Sequence, residues 1–303
     1  MLVLFALMMW GMSALWQSFP TESVAYGAFR ANISAGLPEK SYQFYPNMRY
    51  RNRTITYTME SACTPKKQQD IAKALGMLEA RTILQFKQGG NTSEITFTCA
   101  DLRMLPGNQE HFVAGEGGPL DLVNTTRYVV ILSGQVSLYR SEQCDTPVLA
   151  LHETLHALGF DHSKNVQSIM YPVSECQQTL DSFIVQQINT VYREDPLPDL
   201  AIEKVTARAQ GRMLSFDLNY TNEGLLDVQN VSLVVSADGK VVKVASLMSV
   251  PMGKRRAYGA SNVLLPQGDS VLEFAITESN DAPELNLENN LATLTLSPQK
   301  TAP

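Results

Sequence analysis

The segment LHETLHALGFDHSKNVQSIMYP (151–172) holds three of the chain's four histidines. On a helix, His152 and His156 lie four residues apart and leave the same face, so both imidazoles can bind one metal ion. Glu153 sits beside the first of them, angled to reach a water on that ion without occupying it. Gly159 can take the left-handed conformation that ends a helix, after which the chain can turn back and offer His162 as a third nitrogen ligand. Three neutral imidazoles suit Zn²⁺ and leave a position open for water, as in a catalytic rather than a structural site. Such an ion lowers the water's pKa to roughly 7. Glu153 would then accept a proton from that water and pass it to a departing amine. One histidine on a helix is ordinary. All five positions of His-Glu-x-x-His-x-x-Gly-x-x-His filled together on one predicted helix are not.

The elements that must position these residues are legible in part. PVLALHETLHALG (147–159) opens with proline and closes with glycine, the usual asymmetry of a helix. Upstream, ITYTM (55–59) alternates like a strand. Thr64 and Pro65 start a helix whose buried stripe is Ile71, Leu75 and Leu78, predicted to run to about Phe86. ITFTCA (95–100) and RYVVILSG (127–134) are further strands, the latter placed centrally by its continuous apolar run. A last helix is predicted from Leu180 to Arg193. Together these make an α+β domain over residues 51–195. EDPLPD (194–199) reads as a linker. Beyond it LAIEKV, LSFDLNYT, VSLVVSA, VVKVAS, SVLEFAI and LATLTLS alternate between turn signals, predicting an all-β, seven-strand Ig-like sandwich over 199–298.

At 303 residues the chain has room for two domains. A net charge of −6, a pI near 5.3 and scattered lysines and arginines argue against a nucleic-acid partner. No charge interrupts Met1 to Trp16, so residues 1–20 are expected to be an export signal or an N-terminal membrane anchor, and 21–50 a stalk or a loosely packed N-terminal segment. Four cysteines without a C-x-x-C pair fit an oxidising compartment. Of the three pairings, Cys63–Cys99 with Cys144–Cys176 is favoured, because each then lies within one half of the first domain.

Ser163 directly after the third histidine, and Met170 eight residues beyond His162 in the run Met-Tyr-Pro, complete a pattern. With them the segment resembles the metzincins and, among these, the matrixins (the matrix-metalloprotease family), over about residues 51–193. The resemblance implies a metzincin catalytic domain with a mixed twisted sheet and three helices, zinc on His152, His156 and His162, and Glu153 as base. It makes Met170 the floor beneath the metal, and Tyr171 and Pro172 the beginning of the S1′ pocket wall. Tyr171 is one residue past the methionine rather than two, so it is not read as a ligand.

Some family features are missing. No cysteine precedes residue 51, so cysteine-switch latency is not expected. Only His111 lies outside the motif, so neither is a second, structural zinc. No calcium loop is recognisable, which leaves Ca²⁺ open. In HFVAGEGGPLDL (111–122), Gly117 and Gly118 would let backbone approach a bound peptide, as the upper edge strand does in the family. A flexible glycine-rich surface loop accounts for the same residues equally well.

The C-terminal half resembles CARDB domains of cell-surface proteins through NYTNEG (219–224), ADGK (237–240), LLPQGDS (264–270) and ELNLENN (284–290). The function expected is an extracellular zinc endopeptidase, secreted or anchored to the outer face of the membrane, that cleaves protein or peptide by Glu-assisted attack of a zinc-bound water. The C-terminal domain would meet a cell-surface or extracellular partner. The alternative is a cell-surface adhesion protein with a degenerate metalloprotease scaffold; no catalytic position is lost, which favours the enzyme. A zinc hydrolase of non-peptide amides would use the same metal chemistry.

Overall fold

The structure, a computed structural model, describes residues 42–296 apart from 91, 100–102, 105–111, 142–143, 211, 267–270 and 279–282. The export-signal or anchor reading of residues 1–20 and the position of His111 lie outside the described residues. Among the described residues no helix is long and apolar enough to cross a membrane.

The first domain is built around β8 (Val129–Leu138). One edge of β8 pairs antiparallel with β7 (Gly115–Asn124) along its whole length. Its other edge is shared: β1 (Met48–Tyr50) pairs with residues 129–131 and β4 (Ile95–Thr98) with residues 134–137, both parallel. β2 (Thr54–Met59) and β3 (Gln85–Gln88) extend the sheet beyond β4, also parallel, while β5 (Arg103–Met104) and β6 (Phe112–Val113) pair antiparallel with each other. The apolar run of β8 is therefore flanked on both sides. Three helices, α1 (Pro65–Arg81), α2 (Val148–Ala157) and α3 (Ser182–Val191), complete the domain. Their stripes of Ile71, Leu75, Leu78, Leu151, Leu155, Ile184 and Ile188 bury against Tyr50, Ile55, Ile95, Phe97 and Ile131 of the sheet.

Two expectations need correction here. The first helix stops at Arg81 and does not reach Phe86. Thr82 ends it by returning both its backbone N–H and its hydroxyl to the Leu78 carbonyl, and Ile83 N–H bonds instead to the Asn189 side chain. Phe86 then lies in β3, its N–H held by Glu79. Second, the segment up to residue 50, expected as a stalk or a loosely packed N-terminal piece, is built into the domain from at least Tyr42. Gln43 bridges to Phe160, and Arg49 is fully buried. The Arg49 guanidinium donates to the carbonyls of Tyr50, Arg51, Val191 and Glu194 and lies 4.7 Å from the Tyr192 ring centroid. It satisfies a carbonyl at the C-terminal end of α3, where a helix leaves acceptors unpaired and favours cations.

Both disulfides lie in this domain. Cys63–Cys99 joins the approach to α1 to the end of β4, and Cys144–Cys176 joins the approach to α2 to the loop beyond Met170.

The second domain is a sandwich of two antiparallel sheets. One has the order β13 (Arg255–Leu264), β10 (Met213–Asn222), β9 (Leu200–Gln210). The other runs β12 (Lys240–Leu247), β11 (Val231–Ala237), β14 (Val271–Glu278), β15 (Leu291–Thr295). Leu214, Phe216, Leu218 and Tyr220 of β10 face Leu233 and Val235 of β11 and Leu272, Phe274 and Ile276 of β14 across the core. Six of the seven strands show apolar alternation in the sequence. The seventh, β13, does not: it is an edge strand with two arginines, a glycine and Val263 as its one buried residue.

Candidate metal centre

α2 is buried at every position, His152, Glu153 and His156 included. Its polar side chains are therefore held in fixed surroundings rather than solvated. Gly159 ends the turn after α2 at φ 92°, and a Cβ there would lie 2.6 Å from Met48 Sδ of β1. Neither the backbone angle nor the space suits another residue. Tyr50 Oη donates to the Ala157 carbonyl from the same strand. Phe44 N–H donates to the Gly159 carbonyl, and Asp161 N–H to that of Tyr42. β1 and the segment before it thus hold the turn that presents His162.

The three imidazoles converge. His156 Nε2 lies 3.0 Å from His152 Nε2 and 3.2 Å from His162 Nε2. His152 Nδ1 lies 2.6 Å from the Ile169 carbonyl, and His156 Nδ1 lies 2.7 Å from the Phe160 carbonyl. A carbonyl only accepts, so each Nδ1 carries the proton and each Nε2 presents a bare lone pair. Burial lowers the pKa of His152 to about 4 and, with His152 beside it, that of His156 to about 3. Desolvation lowers His162 as well, against the pull of Asp161. Neutral nitrogen lone pairs this close repel unless a cation lies between them. A tetrahedral ion with Zn–N distances of about 2.0–2.1 Å sets its nitrogens about 3.3 Å apart, so the donor set fits zinc. Among the described residues this is the one cluster of His, Cys, Asp and Glu that could hold a metal ion.

The carbonyl that orients His152 is itself fixed. Ser168 is fully buried; its Oγ donates to Asp181 at 2.5 Å and accepts the Met170 N–H. Ile169 N–H bonds to the Thr179 carbonyl, and Ser163 N–H to that of Met170. Met170 is buried. Tyr171 is half-buried and Pro172 exposed, at the start of the loop that follows. Sequence reasoning missed Ser168, Asp181, Met48, Tyr50 and Phe44, whose ring stacks on His156 at 5.9 Å.

Glu153 is packed beneath β7. A Cβ on Gly115 would lie 2.9 Å from Glu153 Cγ, and one on Gly117 would run into the Glu153 backbone. Gly117 is therefore explained by close approach to α2, whereas Gly118 faces open space. Burial, and secondarily the charge of Glu116, pushes the Glu153 carboxyl up to about 8. A dication at the neighbouring imidazoles acts in the opposite sense.

Residues 49–193 match the matrixin family, and residues 197–294 match CARDB. The chain carries a matrixin domain followed by a CARDB domain. The matrixin match supports a zinc metallopeptidase in general terms. Similar solved structures include a CARDB domain from Pyrococcus furiosus, described in complex with di-metal ions. It is 20% identical, spans 33% of this chain and 88% of its own, and has a TM-score of 0.29. A solution structure of the same Pyrococcus domain gives 21%, 33%, 94% and 0.30. A domain from Methanosarcina acetivorans gives 19%, 34%, 94% and 0.31. No curated protein matches the chain.

Proposed function

We propose that this protein is an extracellular zinc endopeptidase, exported or anchored through residues 1–20, that cleaves protein or peptide chains. The observation that carries the reading is the convergence of three Nε2 atoms, with the Nδ1 protons of His152 and His156 fixed on carbonyls, next to buried Glu153. Zinc on His152, His156 and His162 would supply Lewis acidity toward water and the scissile carbonyl. The chain's own residues do the rest. Glu153 takes a proton from the attacking water onto its carboxylate and delivers it to the departing amine nitrogen. Burial favours the protonated intermediate state of that shuttle. Among the described residues β7 pairs with β8 along one edge only, so its outer edge can align an extended peptide by strand addition, with Gly118 leaving room above it. Tyr171 and Pro172 begin the wall of the pocket for the residue after the cut. Both disulfides, and the surface role that a CARDB domain suggests, support an oxidising extracellular setting.

The test is cleavage of an unfolded protein by the purified chain, its chelated form and Glu153→Gln. Cleavage by the parent and loss in both others is expected. Undiminished cleavage by Glu153→Gln overturns the assignment of the base. An inactive parent that binds zinc favours a scaffold used for adhesion.

A further inference from the structure

The junction of the two domains is packed. Tyr128, Val130, Leu225 and Met252 form a buried cluster separate from either domain's core, with Val123, Leu132 and Leu285 against it. The residues from 123 to 132 belong to the β7–β8 hairpin, and the other three to loops at one end of the sandwich. Gly253, at φ 68°, has no room for a side chain: a Cβ would lie 2.6 Å from both Asn124 O and Val123 Cγ1. Thr126 donates to Glu223 across the junction at 2.7 Å.

The linker between the domains is not a tether. The Glu194 carboxylate accepts from Tyr128 Oη at 2.6 Å and from Arg127 at 3.1 Å. Leu225 N–H bonds to the Leu197 carbonyl, Leu285 N–H to that of Pro198, and Glu223 N–H to that of Asp199. The turn motifs of the CARDB domain converge on the same place. Asn222 Oδ1 accepts from the N–H groups of Asp199 and Gly224, and Glu284 accepts from Leu200 N–H. Asn289 donates to Asp199, and Asn290 to Glu284. NYTNEG and ELNLENN lock the linker and the docking loops into one piece.

β7 needs such a support. Its pairing with β8 shifts register twice between Pro119 and Leu122, so the strand is weakest in its middle. One end, Gly115 and Gly117, is wedged against Glu153 of the metal helix. The other end, Val123 and Asn124, is pressed by Met252 and Gly253. We propose that the CARDB domain is a fixed brace for the β7–β8 hairpin, holding the edge strand in register beside the metal helix, rather than a mobile module on a tether. The consequence for catalysis rests on the endopeptidase reading; the bracing itself does not.

The test uses the full chain with Met252→Ala, which empties part of the junction, and Gly253→Val, which wedges it open. Amide hydrogen exchange is expected to speed up about tenfold or more over residues 118–132, while α2 and β11 exchange as in the parent. For a long peptide, KM is expected to rise several-fold with kcat nearly unchanged. If Gly253→Val does not fold, Met252→Ala alone decides. Hairpin exchange at the parental rate in the folded variant, or a uniform rise across both domains, overturns the brace. Faster hairpin exchange in the variants, with a parent that cleaves nothing, sinks the endopeptidase reading and leaves the brace standing.

Discussion

At the scale of single residues, the site depends on side chains of two kinds. Glu153→Gln keeps the shape of the carboxylate and removes its basicity, and kcat is expected to fall about 10²–10⁴-fold. Asp181 touches neither metal nor substrate in this account. It holds Ser168 Oγ, which holds the Met170 N–H beside the carbonyl that orients His152. Asp181→Ala is expected to weaken zinc binding by about 10-fold or more, read by competition with a chelator, with the fold intact by circular dichroism. The ligands and the base could be read from the sequence because spacing on a helix fixes which side chains meet. The Ile169 and Phe160 carbonyls could not, because every residue carries a carbonyl and only the folded turn shows which one is used. The sequence offers Gly117 for approach to a peptide or as part of a flexible loop; the structure sets it against the Glu153 backbone, a packing that sequence does not record.

At the scale of elements, β1 deserves more weight than its three residues suggest. It supplies Met48 beneath Gly159, Tyr50 to the end of the metal helix, and Arg49 to the end of α3. Arg49→Ala would leave several buried carbonyls without a donor, at a cost of roughly 2–4 kcal/mol. Urea unfolding would show this as a lower midpoint at unchanged slope. A chain truncated to begin at residue 51 loses all three contacts and is expected to bind zinc poorly. β1 is hard to see in advance because MRY is short and contains an arginine, and only its parallel partner β8 makes it a strand. β13 is hidden for a related reason: an edge strand that opens on two arginines has no apolar alternation to read. The strongly patterned elements, α1, α2, β8 and β10, were legible, although the end of α1 was set by Thr82 and Asn189 rather than by periodicity.

At the scale of the molecule, the junction carries an electrostatic signature. Burial, ahead of the charges of Glu223 and Glu194, raises the pKa of Asp199 against Asn289 and Arg127. Burial also raises that of Glu284, ahead of Asp199 and Glu278 and against Leu200 N–H and Asn290. The folded state therefore binds these protons more tightly than the unfolded chain. Their contribution to stability grows as pH falls through the raised folded values and levels off below the unfolded ones, near 4. The imidazoles of His152 and His156, kept neutral by burial, act in reverse and cost stability as pH falls below about 6.5. Comparing Asp199→Asn with the parent separates the two effects. The variant is expected to melt higher than the parent at neutral pH, with the gap closing as the solution is acidified. A gap that widens on acidification would contradict the buried, raised carboxyl.

The central claim is that the three converging imidazoles hold the zinc on which peptide cleavage depends. It is tested most directly by titrating zinc into the metal-stripped full chain while following cleavage of an unfolded protein. The account predicts no cleavage without metal, a rise in rate with each addition, and a break near one zinc per chain. Cleavage at full rate by the stripped protein, or a stripped protein that takes up zinc and remains inert, would contradict it.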